Sequence, residues 1–180
     1  MGILQRLLGR NNKGEHGAKG IFPARSPVQR NSAPCAPGTR IPYDARLVFR
    51  LTADHRRLLR LLVKLERAFD DGYLTTAVAC LHEFGSEMRA HLLSEKVQLY
   101  LYLHHALKSD PFSVALLRAL QQEMDVIGKH LVAFLAKYEK LAANPKLLVT
   151  FRADLGEIVK LLTTRIRREE TTLFPLYAPF

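Results

Sequence analysis

The chain is 180 residues long, the size of one ordinary domain. Hydrophobic residues make up 48% and charged residues 24%, which argues against a wholly disordered chain. Two cysteines are too few for a disulfide scaffold or a thiolate zinc site, and no run of about 18 apolar residues offers a membrane-spanning helix. Residues 1–10 are apolar only in bursts broken by Arg6 and Arg10, without the hydrophobic region of a secretory signal, so the expected location is cytoplasmic. The net charge of +10 is uneven. Residues 1–40 carry seven basic side chains and one acidic, and the remainder carries 20 basic and 16 acidic. The basic excess therefore belongs mainly to the N-terminal segment, and nucleic acid is expected to bind only nonspecifically, through that segment.

Residues 1–42 hold 11 of the 19 glycines and prolines and show no helical or strand period. They read as a basic, disordered tail or linker. Within them Met1–Arg10 could form a short amphipathic helix, with Ile3, Leu4, Leu7 and Leu8 on one side, suited to a membrane surface or a partner. Residues 43–180 change character. Four helical segments follow at roughly 44–70, 74–108, 112–142 and 145–176. They are broken at Asp71-Gly72, Ser109-Asp110-Pro111 and Asn144-Pro145. Short connections favour antiparallel neighbours. The expected fold is all-α, an antiparallel up-down-up-down four-helix bundle with a disordered N-terminal tail.

The inward stripes run at spacings of three and four. The first helix offers Leu51, His55, Leu58, Leu62 and Leu65. The second offers Phe84, Met88, His91, Glu95, Gln98 and Tyr102. The third offers Leu120, Met124, Ile127, Leu131 and Phe134, and the fourth Ile158, Leu162, Arg165, Glu169 and Thr172. Five of these core positions are ionisable: His55, His91, Glu95, Arg165 and Glu169. Burying a charge without a partner costs several kcal/mol, so these residues are expected to meet one another. His91 with Glu95, and Arg165 with Glu169, stand four apart, each pair on one helix face. Facing pairs of that kind bring two carboxylates into one cavity, which is how metal sites are built in bundle cores. Tyr100, Tyr102 and Tyr138 are read as packing residues, and Cys80 as a surface or partly buried thiol. His82, His104, His105 and His130 are read as surface or rim residues.

The segments LTADHRRLLRLL, HLLSEKVQLYLYL and RIRREETTLFPLY resemble the hemerythrin-like (HHE cation-binding) domain over about residues 45–177. That resemblance implies a His on helix one, His-x-x-x-Glu on helix two, a His on helix three and His-x-x-x-Glu on helix four, holding a carboxylate-bridged di-iron centre. Here His55, His91, Glu95 and Glu169 match the pattern, and the positions of the other two histidines hold Met124 and Arg165. A thioether is a poor ligand for iron, and a guanidinium cannot deprotonate. A full di-iron centre is therefore not expected. Two readings stay open. In one, Arg165 pairs bidentately with Glu95 or Glu169 and supplies the counter-charge in place of metal. In the other, a single ion, iron foremost, is held by His55, His91, Glu95 and Glu169.

No nucleophilic triad and no glycine-rich phosphate loop is present, so enzymatic activity is not expected. The functional expectation is a regulatory or interaction protein with a degenerate metal site and a protein partner. The alternatives are a metal-binding sensor of oxygen, nitric oxide or iron and, from a weaker likeness, an anti-sigma-like helical binding protein.

Overall fold

The computed structural model describes residues 34–179. The expectations for the tail upstream of Pro34, including the Met1–Arg10 helix, lie outside the described residues. The first of four helical rods is α1 (Leu47–Asp70). The second runs through α2 (Leu74–Ser94), a π-helical stretch (Glu95–Tyr100) and α3 (Leu101–Ala106). The third is α4 (Pro111–Tyr138). The fourth is α5 (Pro145–Arg168), extended by a π-helical stretch (Glu169–Leu173) and a 3₁₀ turn (Phe174–Leu176). No strand occurs among the described residues, and no helix there is long and apolar enough to cross a membrane.

The breaks fall where the local chemistry requires them. Gly72 takes a φ of 78°, a left-handed conformation that a side chain disfavours, and reverses the chain after α1. The Asp110 carboxylate accepts from the backbone N–H groups of Phe112 (3.1 Å) and Ser113 (3.3 Å), with Pro111 at the first helical position of α4. The Asn144 side chain caps α5 in the same way through Lys146, with Pro145 behind it. Each rod packs on its two neighbours in the order first, second, third, fourth and back to first, which closes the bundle.

The stripes are correct through the middle of each rod and slip at two places. Gln98 is exposed and bonds to Arg50 (3.0 Å), while Leu99 and Tyr100 are buried. Thr172 is only partly buried, while Leu173 is fully buried. Both slips follow a π turn, whose extra residue rotates everything after it relative to an α-helical count. Cys80, expected near the surface, is 2% exposed within the core.

Part of the expected tail is folded onto the bundle. In residues 34–43 the Ala36 N–H donates to Ile41 O (2.9 Å) and the Tyr43 N–H to Pro34 O (2.7 Å), around Gly38 at a φ of 72°. Ala36 is buried in the core cluster that includes Leu47, Leu51 and Leu103, and Tyr43 stacks on Tyr177 at 4.8 Å. Apolar burial and a closed hydrogen-bonded turn outweigh the Pro/Gly composition that marks this stretch as linker.

The core is split in two. One cluster centres on Leu58, Leu81, Phe84, Phe134 and Phe151, and the other on Leu51, Leu99, Tyr102, Leu117 and Leu173. Between them, on every rod, stand the residues that interrupt the stripes: His55, His91 with Glu95, Met124, and Arg165 with Glu169.

Candidate metal centre

The polar layer is buried as a unit. His55, His91, Glu95, Arg165 and Glu169 are each between 1% and 5% exposed. Glu95 and Glu169 each open a π-helical stretch, so both widened turns lie at the layer itself. Such single-turn widenings recur at functional sites.

On one side stand the two histidines. Their rings meet edge to face with centroids 4.8 Å apart, and Phe174 stacks on the His55 ring at 5.6 Å. His55 Nδ1 lies 2.9 Å from Glu170 Oε1. A carboxylate only accepts, so Nδ1 carries the proton; Nε2 keeps its lone pair when the ring is neutral and carries a second proton when it is charged. That Nε2 faces Glu169 Oε2 at 3.0 Å, outside hydrogen-bonding geometry. Two acceptors in such contact need a proton or a cation between them. His91 Nδ1 is 3.7 Å from Asp54 Oδ2 and is also unpartnered. One ligand atom from each of His55, His91 and Glu169 can be chosen so that all three lie within 4.8 Å of one another. These residues line a cavity of about 10 Å³, whose wall also includes Leu58, Met88, Met124, Leu162 and the Arg165 side chain.

On the other side stands Arg165. Its Nε donates to Glu169 Oε1. One terminal nitrogen donates to Leu120 O (3.0 Å) and Glu123 Oε2 (3.2 Å), and the other to the Tyr100 hydroxyl (2.9 Å). Arg168 joins from outside, at 2.8 Å from the same Glu123 oxygen. The expected bidentate pairing is replaced by separate partners for each nitrogen. Glu95 Oε1 lies 4.0 Å from Arg165, too far for a hydrogen bond, and has no other partner among the described residues.

Electrostatics separates the carboxylates. Burial, reinforced by the neighbouring Glu169 charge, pushes Glu95 up to about 8, so it is mostly protonated at neutral pH. Burial acts on Glu169 in the same sense, but His55 and Arg165 outweigh it and hold Glu169 below its ordinary value. Burial alone would lower His55, yet Glu169 and Glu170 together raise it. Burial and the adjacent His55 lower His91. Burial raises the Tyr100 hydroxyl to about 12, so it stays a neutral phenol whose oxygen accepts from Arg165.

The structure thus gathers His55, His91 and Glu169, with Glu95 and Met124 beside them and Arg165 bonded to Glu169. His82 and His130 are exposed, and His104 bonds to Gln121 (3.1 Å) away from the layer. Four contributors escape the stripe pattern: Glu170, Asp54, Glu123 and Tyr100. Glu170 had a signal, the doubled carboxylate next to Glu169 opposite a histidine that needs an acceptor. Asp54 and Glu123 lie one position off the stripes and could not be told from surface acids.

The hemerythrin HHE cation-binding domain model matches residues 46–177. The chain belongs to this family. No curated protein and no solved structure matches it. The donor set present in this HHE domain was tested against one ion and against two. Metal–ligand bonds of about 2.0–2.2 Å place adjacent ligands roughly 3 Å apart, which is the His55 Nε2–Glu169 Oε2 separation. A cavity of about 10 Å³ matches roughly one water-sized guest. One ion therefore fits. Two ions do not, because Arg165 fills the other half of the layer and Met124 contributes only a thioether.

Proposed function

We propose that this HHE domain holds one metal ion rather than two, at His55, His91 and Glu169, and serves a regulatory or sensing role rather than a catalytic one. The observation that carries the reading is that His55, His91 and Glu169 each bring one possible ligand atom to within 4.8 Å of the others beside a cavity of single-atom size. Buried polar atoms in folded proteins are almost always satisfied, so His55 Nε2 facing Glu169 Oε2 calls for a proton or a cation. His55 and His91 would bind through imidazole nitrogens and Glu169 through Oε2, with Glu170 orienting His55 by its bond to Nδ1. Glu95, the fourth expected ligand, would join only on giving up the proton it holds at neutral pH. Iron suits an imidazole–carboxylate set and would supply a redox-capable Lewis-acid centre.

A second reading, a metal-free interaction module, is favoured by Arg165, whose nitrogens are all engaged without any metal. Metal content decides between the two. Protein expressed in iron- and manganese-supplemented medium is expected to carry about one atom per chain by mass spectrometry, and His55→Ala close to none. Wild-type protein without metal would overturn the proposal in favour of the metal-free module. Two atoms per chain would overturn the single-ion assignment.

A further inference from the structure

Outside the polar layer, the largest feature is a groove between the second and third rods, with a volume of about 840 Å³. The two rods meet closely at Gly85, where a methyl group in place of the glycine hydrogen would stand 3.1 Å from Leu135. Beyond that contact small residues leave the space between them unfilled. A side chain at Gly128 would meet nothing within 4 Å, and Ala133 and Ala136 also line the wall. The floor is Met88, Leu92, Met124, Leu131 and Leu135. From Gly85 to Tyr100 the groove follows about 22 Å of helix at ~1.5 Å per residue.

Its rim is cationic. Arg89, Lys96 and Lys129 line it with exposed side chains, and none pairs with a carboxylate among the described residues. Elsewhere in the domain cations do pair with carboxylates, as in Arg57–Glu87 and Lys137–Asp154. Asp125 is the acid of the rim, and the buried Glu95 lies at the inner wall. An elongated apolar trough with a surplus of unpaired cations at its mouth is complementary to a molecule with one long apolar chain and one anionic head. The volume lies in the range of small-molecule pockets, about 300–1,000 Å³. Two methionines in the floor suit a chain without fixed shape, because unbranched thioether side chains repack easily.

We propose that this groove binds one single-chain anionic amphiphile, a long-chain carboxylate of the fatty-acid type. The chain would lie on the floor formed by Met88, Leu92, Met124 and Leu131, and the head on Arg89, Lys96 and Lys129. The groove shares Met88, Leu92 and Met124 with the wall of the small polar-layer cavity, and its occupant requires no metal there.

The test uses the full chain and dansyl-undecanoate as a fluorescent probe, with laurate as competitor. Wild type is expected to bind one probe per chain saturably and to release it to laurate. Dodecyltrimethylammonium, with the same chain and the opposite charge, should compete at least about tenfold less well, the ratio that one charge-assisted contact carries. Gly128→Leu fills the groove from a position with free space and replaces a helix-interior glycine by a better helix former, so the fold is retained. It should abolish probe binding. Arg89→Glu with Lys129→Glu should weaken it by about tenfold or more. Unchanged binding in Gly128→Leu, or equal competition by the cationic amphiphile, would overturn the proposal. So would a wild-type dimer that Gly128→Leu dissociates while the probe fails to bind, since the groove would then be filled by a second copy.

Discussion

On the arginine side of the polar layer, every guanidinium nitrogen has a partner: Glu169, Leu120 O, Glu123 or Tyr100. On the histidine side, His55 Nε2 and His91 Nδ1 have none among the described residues. The two sides share Glu169, one oxygen toward Arg165 and the other toward His55. A guanidinium carries a fixed charge and a fixed fork of donors, so it completes a buried network without help. Imidazoles carry lone pairs, and a buried lone pair facing a carboxylate is stable only with a proton or a cation between them. An arginine where the family pattern has a histidine places a covalently attached cation in the layer. On the proposed reading it takes the place of one metal and leaves the histidine side for a single ion.

The largest break of that comparison is Arg165→Ala. It strands the buried Glu169 and Tyr100 groups and is expected to cost roughly 3–5 kcal/mol of stability in urea denaturation. A change within about 0.5 kcal/mol would mean that the arginine side does not hold the core together. The histidine side is probed by Glu170→Gln. Glu170 is partly exposed at 38%, so the metal-free protein should change little. Metal affinity, measured by titration of stripped protein, should fall about tenfold to a hundredfold as the acceptor that orients His55 loses its negative charge. Equal affinities would remove Glu170 from the site. Next in size is Tyr100→Phe, which removes the hydroxyl oxygen that accepts from the Arg165 guanidinium. It should cost about 1.5 kcal/mol and leave metal affinity unaltered, because the change lies wholly on the arginine side.

How far the sequence carries this contrast depends on helical period. His55, His91, Arg165 and Glu169 were legible because each interrupts an otherwise apolar stripe on a regular α-helix. So were the rod boundaries, because Gly72, Asp110-Pro111 and Asn144-Pro145 act through local backbone chemistry. The period fails beyond Glu95 and Glu169, where π turns move Leu99 and Leu173 into positions expected for Gln98 and Thr172. A widened turn has no composition of its own, and it forms where buried groups demand it. Glu123 was hidden for another reason. It reaches Arg165 from a half-exposed position, and a long side chain at the edge of a stripe gives the same sequence pattern whether it turns inward or outward. The turn at residues 34–43 was missed because Pro and Gly signal a break without saying whether the broken chain returns to the core.

The smallest effect is a slope, and its sign sharpens the comparison most. Glu95 stands between the two sides, with its carboxyl raised to about 8 by burial and by the charge of Glu169. In the unfolded chain the same group ionises near 4.5. Below that pH both states hold the proton and Glu95 does not oppose folding. Between the two values the unfolded chain releases the proton and the folded one retains it, so stability falls as pH rises toward 8. His55, also raised, drifts in the same direction, and Glu169, held low, loses its contribution only in acid. The difference between wild type and Glu95→Gln isolates the one group. Metal-stripped wild type should lose stability relative to the variant between pH 5 and 8, because a glutamine cannot ionise. Parallel curves over that span would mean that Glu95 is ionised at neutral pH. It would then be paired with Arg165 and belong to the closed half of the layer, leaving His55, His91 and Glu169 as the whole of the open half.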